Sequence, residues 1–279
     1  MNKDEILIAL QKEAESYNQL MATENGDWIV KGFIDVFKNV YTISLDTKVI
    51  SKVMELLLIP ALENFAKAND LTLELPQQQN FYPDLTFISK TTKEKFALDI
   101  KSTYKDSNDA IKPMTLGAFT GYFRNRDSTK NTTYPYNDYS AHLILGIVYS
   151  QTEGRPNEKN IYTIEDLSQI VSVIKDFQFF VQPKYKIAST SPGSGNTKNI
   201  GAVTNIAKLI SGQGPFATLG EEIYDDYWMH YLTNDMAKER GEQRPYTNLK
   251  SYYEYKQRGN ETLLKHRDEI LTSNDDETL

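Results

Sequence analysis

Apolar residues recur at helical spacing over residues 3–20, where Ile6, Leu7, Leu10 and Ala14 fall on one side. Residues 32–43 (GFIDVFKNVYTI) predict two short strands around a Lys38-Asn39 turn. Asp46 or Thr47 then caps a helix carrying Val49, Ile50, Val53, Met54, Leu57 and Leu58 to about Asn69, with a kink expected at Pro60. Residues 71–75 alternate as a strand, and 81–89 with 95–103 predict a hairpin joined by the polar SKTTKEK stretch. Residues 141–149 and 178–188 are further apolar strands. Residues 189–201 (STSPGSGNTKNIG) carry no apolar side chain before Ile200 and predict a loop. Helices are expected at about 203–210, 220–239 and 246–256, followed by a polar tail expected to fray. No internal repeat is visible. The pattern predicts an α/β (α+β) fold, a mixed sheet flanked by helices.

Composition narrows the class. A chain of 279 residues supports one large domain with a sizeable core. With no cysteine, disulfides, thiolate metal sites and cysteine nucleophiles are excluded. Acidic residues interrupt the apolar N-terminal stretch, so no signal peptide is expected, and no apolar run is long enough to span a membrane. A soluble cytoplasmic protein is the expectation. The net charge of −7 argues at first against a nucleic-acid partner. Its distribution weakens that argument. Glu221, Glu222, Asp225 and Asp226 form one acidic cluster, and Asp275, Asp276 and Glu277 another; these seven residues equal the whole excess. Residues 177–220 contain Lys184, Lys186, Lys198 and Lys208 and no acid.

The chemistry concentrates at Tyr82-Pro83-Asp84 and Leu98-Asp99-Ile100-Lys101. Residues two apart share one face of a strand, so Asp99 and Lys101 project together while Leu98 and Ile100 pack behind. Asp84 starts the partner strand and can place its carboxylate beside Asp99. Two carboxylates with an ammonium suit a hard divalent cation and phosphate chemistry. The pattern alone is weak, because an ordinary ion pair gives the same spacing. The apolar flanks of Asp99 strengthen it, since unpaired charges in a buried strand are costly. Glu55 is the other anomaly, an acid inside VMELLLIP. It is either a snorkelling surface residue or a third ligand or base.

The PGSGNTKNIG segment lacks the spacing of a nucleotide-binding loop. It offers backbone donors at Gly193 and Gly195, an amide at Asn196 and a methyl and hydroxyl at Thr197, groups that match base edges in the major groove. A flexible connector remains the alternative. Gln77-Gln78-Gln79-Asn80 is likewise a polar turn or a minor-groove reader.

Together these blocks resemble the type II restriction endonucleases of the PD-(D/E)xK superfamily. The resemblance runs through Asp46-Thr47-Lys48-Val49, Glu55, Gln78-Gln79-Asn80, Tyr82-Pro83-Asp84 and Asp99-Ile100-Lys101. It continues through Thr115-Leu116-Gly117, Tyr134-Pro135, Ala141-His142 and Gly193-Ser194-Gly195-Asn196-Thr197 with Asn199-Ile200-Gly201. The blocks keep the family's order over about 32–259; 18–31 looks like an insertion and 260–279 like a C-terminal extension. The resemblance implies a restriction-endonuclease-like domain in which Asp84, Asp99 and Glu55 bind Mg²⁺ and Lys101 is the catalytic lysine. It implies DNA contacts from Gly193, Ser194, Gly195, Asn196, Thr197, Lys198 and Asn199 in the major groove, and from Gln79 and Asn80 in the minor groove. Thr47, Lys48, Thr103, Thr120 and Lys130 match positions near or on the phosphate backbone. The 32–43 hairpin with residues about 147–165 would form a dimerisation subdomain. Ser102 and Gly121 depart from the pattern toward smaller side chains, and Lys198 adds a charge.

What the resemblance implies is a homodimeric, Mg²⁺-dependent endonuclease acting on double-stranded DNA at a palindrome, expected to be GATATC cut bluntly at its centre. A partner methyltransferase would protect the host. The rivals are a DNA-binding protein without cleavage, a nicking or repair nuclease, and a small-phosphoester hydrolase.

Overall fold

The computed structural model describes residues 1–107, 109–193, 197–256 and 261–272. The chain starts with α1 (Lys3–Ala14), capped by Asn2, and the short α2 (Asn18–Met21). The single helix expected over 3–20 is therefore broken, and Tyr17 at the break is fully buried. Strands β1 (Gly32–Ile34) and β2 (Val40–Thr42) pair as the expected hairpin, with Lys38 at positive φ in the turn.

Asp46 caps α3 (Thr47–Ala68) by accepting from the amides of Lys48 and Val49. Ile50, Met54, Leu58, Leu62 and Phe65 form its buried stripe. The helix continues through Pro60. The carbonyl that Pro60 cannot engage belongs to Leu56, a residue more than half exposed on the solvent side of the helix.

The central sheet has the order β3-β4-β5-β8-β9, with β3 (Leu71–Glu74), β4 (Leu85–Ser89), β5 (Lys95–Ser107), β8 (Tyr139–Gln151) and β9 (Ile174–Pro183). Only β5 and β8 run parallel; the short β6 (Ala110–Ile111) folds back on β5. Each face covers a separate core. Phe96 and Leu98 of β5 pack with α1 and α3 on one side, and Ala97 of β5 with Ile144 and Val148 of β8 join the C-terminal helices on the other.

The segment 189–201 is not simply a loop. After α4 (Lys184–Ile187), β10 (Ala188–Pro192) and β11 (Asn199–Ala202) pair antiparallel, and β11 adds to β7 (Thr115–Ala118). These strands hide from hydrophobic periodicity because they pair by close backbone approach. A Cβ on Gly201 would lie 2.6 Å from the Ser191 carbonyl oxygen, and one on Gly193 2.6 Å from Thr115 Cγ2.

The chain ends with α5 (Ile206–Ser211), α6 (Glu221–His230), α7 (Asn234–Arg240), α8 (Leu249–Tyr255), α9 (Glu261–Lys265) and α10 (Arg267–Thr272). The tail is not wholly frayed, since Leu263 and Ile270 are buried. Residues 273–279, with Asp275, Asp276 and Glu277, lie outside the described residues. The 221–226 acids are not all free surface charge: Asp225 pairs with Arg126 at 2.7 Å and Asp226 with Lys256 at 2.9 Å. Among the described residues no helix is long and apolar enough to cross a membrane.

Gly146 of β8 sits between Lys101 of β5 and Phe180 of β9. A Cβ there would lie 2.0 Å from Phe180 Cζ, in a buried position. Gly146→Ala is expected to lower stability by about 1–3 kcal/mol, read as a lower denaturant midpoint at unchanged m-value.

Candidate active site

The antiparallel register pairs Leu85 with Leu98 and Thr86 with Ala97, which sets Asp84 opposite Asp99 at the end of the ladder. Leu98 packs into the core shared with α3, so its neighbour Asp99 faces the other side, along with Lys101 two residues on. The Asp84 amide donates to Asp99 Oδ1 at 3.2 Å, and the Ile100 amide donates to Asp84 Oδ2 at 2.7 Å. Lys101 Nζ lies 3.1 Å from Asp84 Oδ2 and 3.5 Å from Asp99 Oδ2. The two carboxylates and the ammonium form one compact group.

Burial raises the Asp99 pKa above the ordinary aspartate value; Lys101 pulls it down and Asp84 pushes it up. Burial also disfavours the Lys101 ammonium, but the fields of Asp99 and Asp84 outweigh it and the lysine pKa rises. The lysine thus stays charged and offsets two close carboxylates. The donor set, two carboxylates converging from adjacent strands with Asp99 only 4% exposed, has the chemistry of a hard divalent cation site.

Tyr82, two residues before Asp84, is clamped from several sides. Its amide donates to the Asn131 carbonyl, and its own carbonyl accepts from the Thr133 amide and the Thr132 hydroxyl. Its ring stacks on Tyr122 at 4.8 Å, and its hydroxyl lies 2.6 Å from His142 Nδ1. The Tyr82–Pro83 peptide is cis. His142 stacks on Tyr136 at 3.8 Å.

Glu55 is not brought into this group. Helix α3 packs on the opposite face of the sheet, where Ser51 meets Ser102 at 2.6 Å, and the Glu55 carboxylate is held by Lys52 at 2.6 Å. Among the described residues no three His, Asp or Glu side chains are placed to hold a metal. Among the described residues the Glu55 carboxylate contacts Lys52 and neither Asp84 nor Asp99, and its helix follows the buried stripe of the other core.

The remaining expected residues are spread around the site. Thr47 and Lys48 are exposed at the start of α3, Gln79 and Asn80 in the turn before Tyr82, and Lys130 on a connecting turn. Thr103 is buried, and its hydroxyl is committed to the Lys112 carbonyl. Thr120 heads the Gly121–Phe123 turn. Gly193 is buried and donates its amide to the Asn199 carbonyl, so that amide is not a free donor. Lys198 is exposed, while the buried Thr197 hydroxyl has no partner among the described residues. Ser194, Gly195 and Asn196 lie outside the described residues. Sequence reasoning missed Lys184, fully buried beside this aromatic group; its only signal was a lysine inside the apolar stretch 178–188.

The sequence model of the family described as "Restriction endonuclease EcoRV" matches residues 24–257. The chain belongs to the EcoRV family of restriction endonucleases. The Type II restriction enzyme EcoRV of Escherichia coli is 34% identical over 239 residues, covering 85% of this chain and 94% of that enzyme. Among solved structures, the NlaIV restriction endonuclease shares 9% identity over 88% of this chain and 92% of its own, with a TM-score of 0.39. The family match begins at residue 24, inside the stretch 18–31 read as an insertion, and Trp28 there is fully buried. Membership makes this protein a site-specific deoxyribonuclease of the type II restriction class.

His142 ties stability to pH. Burial holds its pKa well below the ordinary 6.5, so the ring is neutral in the fold. The unfolded chain takes up a proton below about pH 6.5 that the folded chain does not, so this contribution is lost as pH falls through that value. Melting temperature is expected to drop between about pH 7.5 and 5.5, and the drop should be shallower in His142→Gln. An unchanged slope in that variant would sink the assignment.

Proposed function

We propose that the protein is a Mg²⁺-dependent endonuclease that cuts both strands of a palindromic duplex, with Asp84 and Asp99 as metal ligands and Lys101 as the catalytic lysine. The observation that carries the reading is the convergence of the Asp84 and Asp99 carboxylates on Lys101 Nζ, at 3.1 and 3.5 Å, on one sheet face. Mg²⁺ bound by the two carboxylates would supply charge stabilisation on the phosphate oxygens. The Lys101 ammonium orients the attacking water and offsets charge as the phosphorane forms. Water attacks phosphorus in line, the 3′-oxygen leaves, and a 5′-phosphate end results. We expect GATATC cut bluntly at its centre, because Gly193, Gly195, Asn196 and Thr197 keep the family's reading loop. Gln79 and Asn80, exposed directly before the acid site, suit contact along the minor groove.

A homodimer would match the two-fold symmetry of a palindrome. The β1–β2 hairpin supports this assembly. Val36 and Phe37 at its tip are 91% and 82% exposed, and the bridge from Val40 to Tyr162 joins it to a segment exposing Ile161 and Ile164. Within the expected 147–165 stretch, Ile147, Val148 and Tyr149 are buried in β8, and Ile161 and Ile164 are the apolar side chains available to a partner. The assembly would work in the cytoplasm beside a methyltransferase of the same specificity.

Digesting a genome of known sequence with Mg²⁺ and sequencing the fragment ends tests the whole reading. Blunt ends within GATATC are the expected result, whereas nicks as the end product would indicate a nicking or repair nuclease. Asp99→Ala and Lys101→Ala are each expected to abolish cutting while preserving the fold by circular dichroism. Retained cutting in either would remove that residue from the site. Asn196→Ala should cost about 1–3 kcal/mol of discrimination at one base pair. Equal weakening on every sequence would make Asn196 a phosphate contact instead.

A further inference from the structure

Lys184 is 1% exposed, and its ammonium has no hydrogen-bond partner among the described residues. Isolated buried ammonium groups are costly, so this one needs compensation. The ammonium sits over the Tyr82 ring at 5.1 Å, with the Tyr136 and Phe123 rings at 5.9 and 6.0 Å. Ring faces attract a cation, most strongly where water is excluded. Gly117 makes room for it: at φ +95°, a Cβ there would come within 3.4 Å of both Lys184 Nζ and the Tyr122 hydroxyl. Burial lowers the Lys184 pKa to about 8, and the nearby Asp99 carboxylate is the main charge opposing that fall. Its place in the chain is equally informative. Lys184 follows β9 of the central sheet and precedes β10, the strand that enters the 193–199 turn.

We propose that Lys184 is a positioning residue for cleavage, fixing the Tyr82–Asp84 segment through the Tyr82 ring and linking it to the strand that enters the DNA-reading turn. The inference rests on the assignment of Asp84, Asp99 and Lys101 as the reacting site. Thr132 and Thr133 hold the Tyr82 carbonyl and His142 holds its hydroxyl, and the Lys184 ammonium adds a contact on the ring face. Removing the ammonium releases one side of that clamp, and small misplacements of a reacting group cost rate far more than they cost binding.

The test compares Lys184→Met, Lys184→Arg and Asp99→Ala with the parent, cutting one duplex containing the site in Mg²⁺. Lys184→Met is expected to lower kcat about tenfold or more with KM within about twofold. Its melting temperature should be unchanged or higher, because the desolvation cost of a buried ammonium, offset only by ring faces and the Asp99 field, is gone. Lys184→Arg, which keeps a cation over the ring, should recover part of the loss. A Met variant that cuts like the parent overturns the proposal. So does one whose melting temperature falls with kcat and KM impaired together, and so does an Arg variant no better than Met. If Asp99→Ala still cuts, the site assignment itself has failed, which is a separate result.

Discussion

The register between β4 and β5 is the constraint on which the active face depends. Side chains alternate across a strand, so a slip of one residue would turn Asp99 and Lys101 into the core beneath α3 and Leu98 out of it. The apolar residues around Asp99 enforce the register, because Phe96 and Leu98 fill one core and Ala97 the other. Once it is set, Asp84 stands across from Asp99, and the backbone amides of Asp84 and Ile100 tie the two carboxylates together. Lys101 then offsets the like charges of buried Asp99 and half-buried Asp84. Burial and mutual repulsion both disfavour ionised Asp99, and the ammonium between the two acids opposes them.

The two faces of the sheet divide the work. The side covered by α1 and α3 is an aliphatic and aromatic core with no site chemistry in it. The other side carries the acids, the Tyr82–His142–Tyr136 stack, Lys184 and the β7–β11–β10 sheet that holds the 193–199 turn. The C-terminal helices brace this second face, partly through Arg126–Asp225 and Lys256–Asp226. Acids that looked like surplus surface charge therefore include two with structural partners. A net charge of −7 says little about a nuclease whose acids sit in such defined places.

Periodicity made some elements legible. The apolar spacing of Ile50, Met54 and Leu58 after an Asp46 or Thr47 cap predicted α3, and the alternation through 95–101 predicted the strand with Asp99 and Lys101 on one face. Elements built on other physics stayed hidden. β10 and β11 are short strands of mostly small residues, with Ile200 their one large apolar side chain, whose pairing depends on glycine-permitted backbone approach, and the terminal helices are anchored by few apolar side chains, Leu263 and Ile270 among them. For Glu55, an acid among apolar residues signals partial burial without saying on which face of the sheet its helix will pack.

The sequence by itself determined the family, the α+β class and the acid–lysine triplet, because ordered motifs and strand alternation are local properties. Only the tertiary structure decided which charges meet. It set Asp84 against Asp99, sent Glu55 to Lys52, buried Gly193 and enclosed Lys184 among rings from distant segments. Those outcomes depend on strand register and on which face of the sheet each helix covers. Both are fixed by packing between residues far apart in the chain, where spacing along the sequence carries no information.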